Sequence, residues 1–157
     1  MEIAVKPNDD GSCLIAISGS INEYSGKQFQ RTLRDVIGIS KVDIDLANVD
    51  IMNSIGSMYW SDLIRSLCKT ATVRLINCSI NMMGSLGRMP AMLQTAEIVS
   101  FQVPFGCPQC RRIFSHTLVS DQLSENQFPE VRCDKCSTLA VPEVEFDDYA
   151  FFHDTNS

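Results

Sequence analysis

Four cysteines stand in two pairs, Cys107-Pro-Gln-Cys110 and Cys133-Asp-Lys-Cys136, with 22 residues between the pairs. A Cys-x2-Cys turn brings two sulfurs about 4 Å apart, the edge of a tetrahedron whose Zn–S bonds are about 2.3 Å. One pair alone reads as readily as a redox dithiol. Two pairs with loop-like flanks, each at the end of a β-hairpin, point to zinc held by Cys107, Cys110, Cys133 and Cys136. Four thiolates close the coordination sphere and leave no position for water, so the metal is expected to be structural, not catalytic. A segment this short buries too little surface to fold without such a staple. His116 lies between the pairs, but the cysteines already satisfy the metal, and it is expected to be a strand residue.

Other chemistry is sparse. The remaining cysteines, Cys13, Cys68 and Cys78, stand singly beside Leu14, Leu67 and Ile76 and read as small buried hydrophobes. The histidines are His116 and His153. Ser115 adjoins His116, but successive strand residues point to opposite faces and cannot form a nucleophile–base pair. Asp43, Asp45 and Asp50 alternate along and beyond one strand, as a solvated face does. No glycine-rich phosphate loop follows a strand. The chain is therefore expected not to be an enzyme.

These residues must be positioned by regular elements, and periodicity predicts them. Ile3 to Val5 and Cys13 to Ile17 form a hairpin turned by Pro7-Asn8-Asp9-Asp10-Gly11 and closed by Gly19. Ser25 is expected to cap a helix whose apolar face is Phe29, Leu33, Val36 and Ile37, ended by Gly38. Val42, Ile44 and Leu46 alternate with Asp43 and Asp45 as a third strand. Asn53 or Ser54 caps a second helix running to Cys68, and Thr72 to Cys78 is a fourth strand. Ser79 to Leu93 is helical in pattern but weakened by Gly84, Gly87 and Pro90. Ile98 to Val103 is a last strand leading into the first cysteine pair. Beyond it, Ile113 to Leu118 and Leu139 to Phe146 read as strands of the zinc ribbon. The order β-β-α-β-α-β-α-β predicts a mixed α/β sheet with helices packed on it, followed by a small β ribbon. The expected divisions are an α/β domain at 1–103, a ribbon at 104–148 and a tail at 149–157.

Composition is ordinary for a globular chain, 45% hydrophobic and 20% charged, which excludes a disordered polypeptide. Charge is uneven. Residues 1–103 hold nine Lys/Arg against ten Asp/Glu, whereas residues 104–157 hold four (Arg111, Arg112, Arg132, Lys135) against nine. Phosphate neutralisation needs basic side chains, so the ribbon has the wrong sign for a nucleic-acid reader. No apolar run is long enough to span a bilayer, and the N-terminus lacks the pattern of a secretory signal. A cytosolic, soluble protein with reduced thiols is expected.

Gly19-Ser-Ile21-Asn22, followed by Asp45-Leu46-Ala47-Asn48-Val49-Asp50-Ile51-Met52-Asn53-Ser54-Ile55-Gly56, resembles the STAS family, which includes anti-sigma factor antagonists and the cytosolic tails of anion transporters. The resemblance covers about residues 1–103. It implies partner docking through the Gly56 loop and the helix that follows. In the antagonists this loop reads Asp-Ser-Ser/Thr-Gly, and a kinase phosphorylates the residue before the glycine. Here that residue is Ile55, without a hydroxyl, and the leading Asp is Asn53, so the phospho-switch does not carry over. Ser54 matches the neighbouring serine and reads as an N-cap.

At about 100° per residue, Tyr59, Trp60, Leu63, Ile64 and Leu67 share the core face of this helix. Ser57, Ser61, Asp62 and Arg65 lie opposite, with Met58 among them and Ile55 at the border. Ile55, Ser57, Met58, Ser61 and Asp62 are the candidate partner-binding residues. Two readings of Ile55 stand, a docking residue or a hydrophobic staple tucked under the helix. The expected function is a non-enzymatic regulatory or scaffold protein that binds a protein partner. The alternatives are an accessory subunit of a lipid or anion transport machine and a nucleic-acid-associated ribbon protein. The stretch Phe146 to Phe152 mixes acids and aromatics and is expected to pack back on the domain; a short partner-binding segment is the other reading.

Overall fold

A computed structural model describes residues 1–124 and 126–152; His153 and the remainder of the tail lie outside the described residues. The first sheet has the strand order β1-β2-β3-β4-β5, formed by Glu2–Pro7, Cys13–Ile21, Lys41–Met52, Thr72–Ile76 and Glu97–Ile98. β1 is antiparallel to β2, and the other pairings are parallel. Helices α1 (Gly26–Asp35), α2 (Ser54–Cys68) and α3 (Ile80–Arg88) provide the connections that parallel strands require.

Register explains the alternation seen in the sequence. Ile15, Ile44, Leu75 and Ile98 stand opposite one another across four strands and are almost fully buried. One residue earlier, Leu14, Asp43, Arg74 and Glu97 form the matching row on the other face. There Arg74 donates to both oxygens of Asp43, at 2.8 Å each. Asp45 accepts from the Ala47 amide and from Asn77. These carboxylates are thus engaged in the sheet. Phe29 of α1, Trp60, Leu63, Ile64 and Leu67 of α2, and Met82, Met83 and Leu86 of α3 complete the core. Burying each large apolar side chain contributes about 1.5–3 kcal/mol.

Several elements depart from the periodicity reading. α1 stops at Asp35, and Ile37 is 78% exposed beside Gly38, whose φ is +84°. Ser25 precedes α1, but its hydroxyl accepts from the Asn22 amide instead of capping the helix. β3 runs on to Met52, alongside a β2 that continues through two irregularities to Ile21. The strand expected at 98–103 is divided: β5 ends at Ile98, and β6 (Ser100–Gly106) belongs to a second sheet. That sheet has the order β7-β6-β8, with β7 at Ile113–Val119 and β8 at Val141–Pro142.

The boundary expected after residue 103 therefore falls inside β6. Phe101, Val103 and Phe105 of β6 belong to the same buried cluster as Ile44 and Leu75. The acidic-aromatic stretch packs on β6: Tyr149 and Phe152 are buried, with ring centroids 5.4 and 5.2 Å from that of Phe101. Among the described residues no helix is long and apolar enough to cross a membrane.

Candidate metal centre and docking surface

Each cysteine pair is set by a tight turn of identical hydrogen bonding. The Cys107 amide donates to Arg112 O at 2.8 Å, and the Arg111 amide donates to Cys107 O at 2.9 Å. Twenty-six residues on in the numbering, the Cys133 amide donates to Thr138 O at 2.9 Å and Ser137 to Cys133 O at 2.8 Å. Both turns close through a left-handed residue, Arg111 (φ 58°) and Ser137 (φ 62°). β6 and β7 carry the first turn between them, and the isolated bridge Arg132–Leu139 carries the second.

The turns face each other. All four sulfurs lie within 4.8 Å of one another, with Cys107 Sγ 3.4 Å from Cys136 and Cys110 Sγ 3.7 Å from Cys133. Cys107 and Cys133 are buried, and Cys136 is on the outside. Backbone amides of Lys135 and Cys136 lower the Cys133 pKa. The Thr138 hydroxyl, 3.4 Å from Cys136 Sγ, and the Thr138 amide bring Cys136 down to about 6. Against the lowering pull of the Cys110 amide, burial and the neighbouring Cys136 sulfur raise Cys107 to about 11. Hydrogen bonds thus favour the charged form at Cys133 and Cys136, and the set could hold a metal ion. Cys13 and Cys78 are buried and Cys68 is half-buried, away from this cluster.

The second candidate site begins at the end of β3. Asn53 is the N-cap of α2, its side-chain oxygen accepting from the Gly56 amide at 2.8 Å. Ser54 is the first helical residue. The Asn53 amide side chain also donates to Glu23, and the Asn53 backbone N–H donates to Ile21 O. These bonds fasten the first turn of α2 to the β2–α1 connection.

α2 is flanked on both sides. Tyr59 meets Gly26 of α1, and Ser57 shares a recess with Ser85, Arg88 and Met89 at the end of α3. Ser57 and Ser61, expected on the open face, are half-buried, and their hydroxyls donate to Ser54 O and Ser57 O. What remains outward is a narrow stripe at Ile55, Met58, Asp62 and Arg65. Ile55 is 47% and Met58 66% exposed, and Asp62 pairs with Arg65 at 2.9 Å. Two more apolar side chains are over half exposed off the helix, Ile51 near the end of β3 and Met89 after α3.

No family model matches the chain, and no curated protein sequence does. Solved structures match it in fold. An anti-sigma factor antagonist from Mycobacterium paratuberculosis is 17% identical over 62% of this chain and 83% of its own, with a TM-score of 0.51. A Thermotoga maritima protein described as an anti-sigma factor antagonist is 14% identical over 63% and 85%, also with a TM-score of 0.51. A match to the structure of Mglu spans 46% of this chain but 18% of that one, with a TM-score of 0.41, too slight a likeness to argue from. The N-terminal part of the chain has the STAS fold, as its loop residues imply, and a four-cysteine cluster lies C-terminal to it. At such identities the likeness is one of fold.

Proposed function

We propose that this chain is a non-enzymatic regulatory or scaffold module. It docks a protein partner on the exposed stripe of α2 and holds one structural zinc ion in its C-terminal ribbon. The docking reading rests on the apolar side chains of Ile55 and Met58, held outward at the first turns of a helix whose capping end is fixed. The proteins that share the fold are, by name, antagonists of another regulatory protein. Zinc suits the cysteine cluster: a tetrahedron with bonds of about 2.3 Å has edges of about 3.8 Å, and two of the sulfur pairs lie at 3.4 and 3.7 Å. With all four donors thiolates, the ion closes the two turns and performs no chemistry. The transport-accessory reading would use the same surface with a different partner. The acidic balance of residues 104–157 weighs against a nucleic-acid reader.

The test is parallel capture from the native cell with wild-type protein and Ile55→Asp, followed by mass spectrometry. The new carboxylate would enter a dry contact, costing on the order of 2–5 kcal/mol of binding. The free protein should lose little, because a carboxylate near a helix N-terminus is favoured by the dipole. A protein retained by the wild type and lost by the variant, at unchanged melting temperature, is the expected result. Equal retention would move the interface elsewhere. A large fall in melting temperature would make Ile55 a packing residue.

A further inference from the structure

Most strand edges in this molecule are guarded. β1 carries Glu2, Lys6 and Pro7. β5 and β8 have two residues each, and β8 contains Pro142. Among the described residues β7 is the exception. It is seven residues long, Ile-Phe-Ser-His-Thr-Leu-Val, without Lys, Arg, Asp, Glu, Pro or Gly, and it pairs only with β6. An unguarded edge of this length is a template for another strand.

The sequence of β7 reads nearly the same in both directions about His116. Ile113 matches Val119, Phe114 matches Leu118, and Ser115 matches Thr117: branched aliphatic, large apolar and hydroxyl residues in turn. We propose that β7 pairs antiparallel with β7 of a second copy of this chain, across a two-fold axis at His116.

The phase of the ladder fits that axis. The Cys107 N–H to Arg112 O bond makes that pair a hydrogen-bonded one, so β7's even-numbered residues face β6 and its odd-numbered ones turn their N–H and C=O outward. The outward set is Ile113, Ser115, Thr117 and Val119, and Val119 N–H is met by the Gln122 side chain. Two-fold pairing about His116 needs this outward set and places Ile113 opposite the second copy's Val119, and Ser115 opposite its Thr117. Ile113 and Val119 are 69% and 42% exposed, and the pairing would cover both. Charge is complementary too. Arg111, in no ion pair among the described residues, precedes β7, and Asp121 follows it. Antiparallel pairing brings each Arg111 towards the second copy's Asp121, twice per dimer.

One pair of short strands buries less than a standard interface, so a dimer of micromolar affinity is expected by sedimentation equilibrium. Ser115→Asp/Thr117→Asp sets like charges directly opposite and should weaken dimerisation at least about tenfold. Ser115→Lys/Thr117→Asp sets opposite charges in the same positions and should restore it. Melting temperature and zinc content control for folding. Thr117→Pro, which removes an outward N–H and no bond to β6, should give monomer if the aspartates disturb the ribbon. A wild-type chain monomeric throughout the micromolar range overturns the proposal. So does a dimer that survives both the aspartates and the proline, or one that the Lys/Asp variant does not restore.

Discussion

At Gly56 there is no room for a methyl group. A Cβ there would lie 2.1 Å from Ile21 O and 2.5 Å from Ile21 C, both backbone atoms at the end of β2. Gly56→Ala should therefore push the first turn of α2 away from the sheet and weaken the Asn53 cap. The expected loss is about 2–4 kcal/mol by denaturant unfolding. Gly84 is the control, since its Cβ would meet nothing closer than 3.7 Å. Gly84→Ala, within α3, should stabilise by about 0.5–1 kcal/mol. If the two substitutions cost the same, the close approach at Ile21 is not what selects glycine. Arg111 poses the opposite question, a large side chain at φ 58° where glycine is at ease. The left-handed conformation costs about 1–2 kcal/mol, and glycine returns about 0.5–1 kcal/mol of that as chain entropy. Arg111→Gly should raise stability by up to about 1.5 kcal/mol, read from thermal unfolding of the zinc-loaded protein. A fall would show that the guanidinium makes a contact worth more than the strain.

At the scale of elements, short-range patterns were legible and long-range ones were not. The alternation of Val42, Ile44 and Leu46 marks a strand because two residues suffice to show its period. Its extension to Met52 is hidden by Asn48 and Asp50, which favour turns. Only the partner strand, bent at Gly19 (φ +84°), keeps the pairing going. Similarly, the apolar run at 98–103 does not show that the chain changes sheets at Val99. At the switch the backbone N–H of Asn77, at φ 53°, donates to the Ser100 hydroxyl at 2.7 Å, and Cys78 forms a parallel bridge with Phe101. The wheel of α2 marks its core face but does not show that Ser57 shares a recess with the end of α3 and Met92. The cysteine turns were legible because four residues define each one; the left-handed φ at Arg111 and Ser137, which glycine adopts most readily, was not. On the proposed function the ribbon depends on zinc. The purified chain should carry one zinc equivalent, and Cys133→Ser should lose it, since structural zinc contributes on the order of 10 kcal/mol or more to such modules. Well under half an equivalent in a chelator-free preparation, with all thiols reduced, would refute the metal assignment.

At the scale of the whole molecule, β6 joins the two sheets. Phe101, Val103 and Phe105 belong to the cluster that also contains Ile44 of β3 and Leu118 of β7. Stripping the proposed zinc should therefore lower the melting temperature of the entire chain in one calorimetric transition. Two resolved transitions would show that the sheets unfold as separate units. The C-terminal turns close the same core, and Tyr149 makes their docking sensitive to pH. Its hydroxyl donates to Gln102 O of β6 at 3.0 Å, and its ring packs on Phe101 and Phe128. Burial, with a smaller contribution from Asp148, raises its pKa from the ordinary 10 to about 12. A pKa raised by folding means that the neutral phenol is favoured in the native state. The associated stability is complete below pH 10 and is lost as pH rises through about 12, because the unfolded chain releases its proton first. Urea unfolding between pH 8 and about 11.5 should show that decline in the wild type. Tyr149→Phe should lower stability by about 1 kcal/mol at neutral pH through the lost hydrogen bond, yet flatten the alkaline decline. Parallel curves for the two proteins across this range would mean that another group titrates, and that the phenol is not what ties the C-terminal turns to β6.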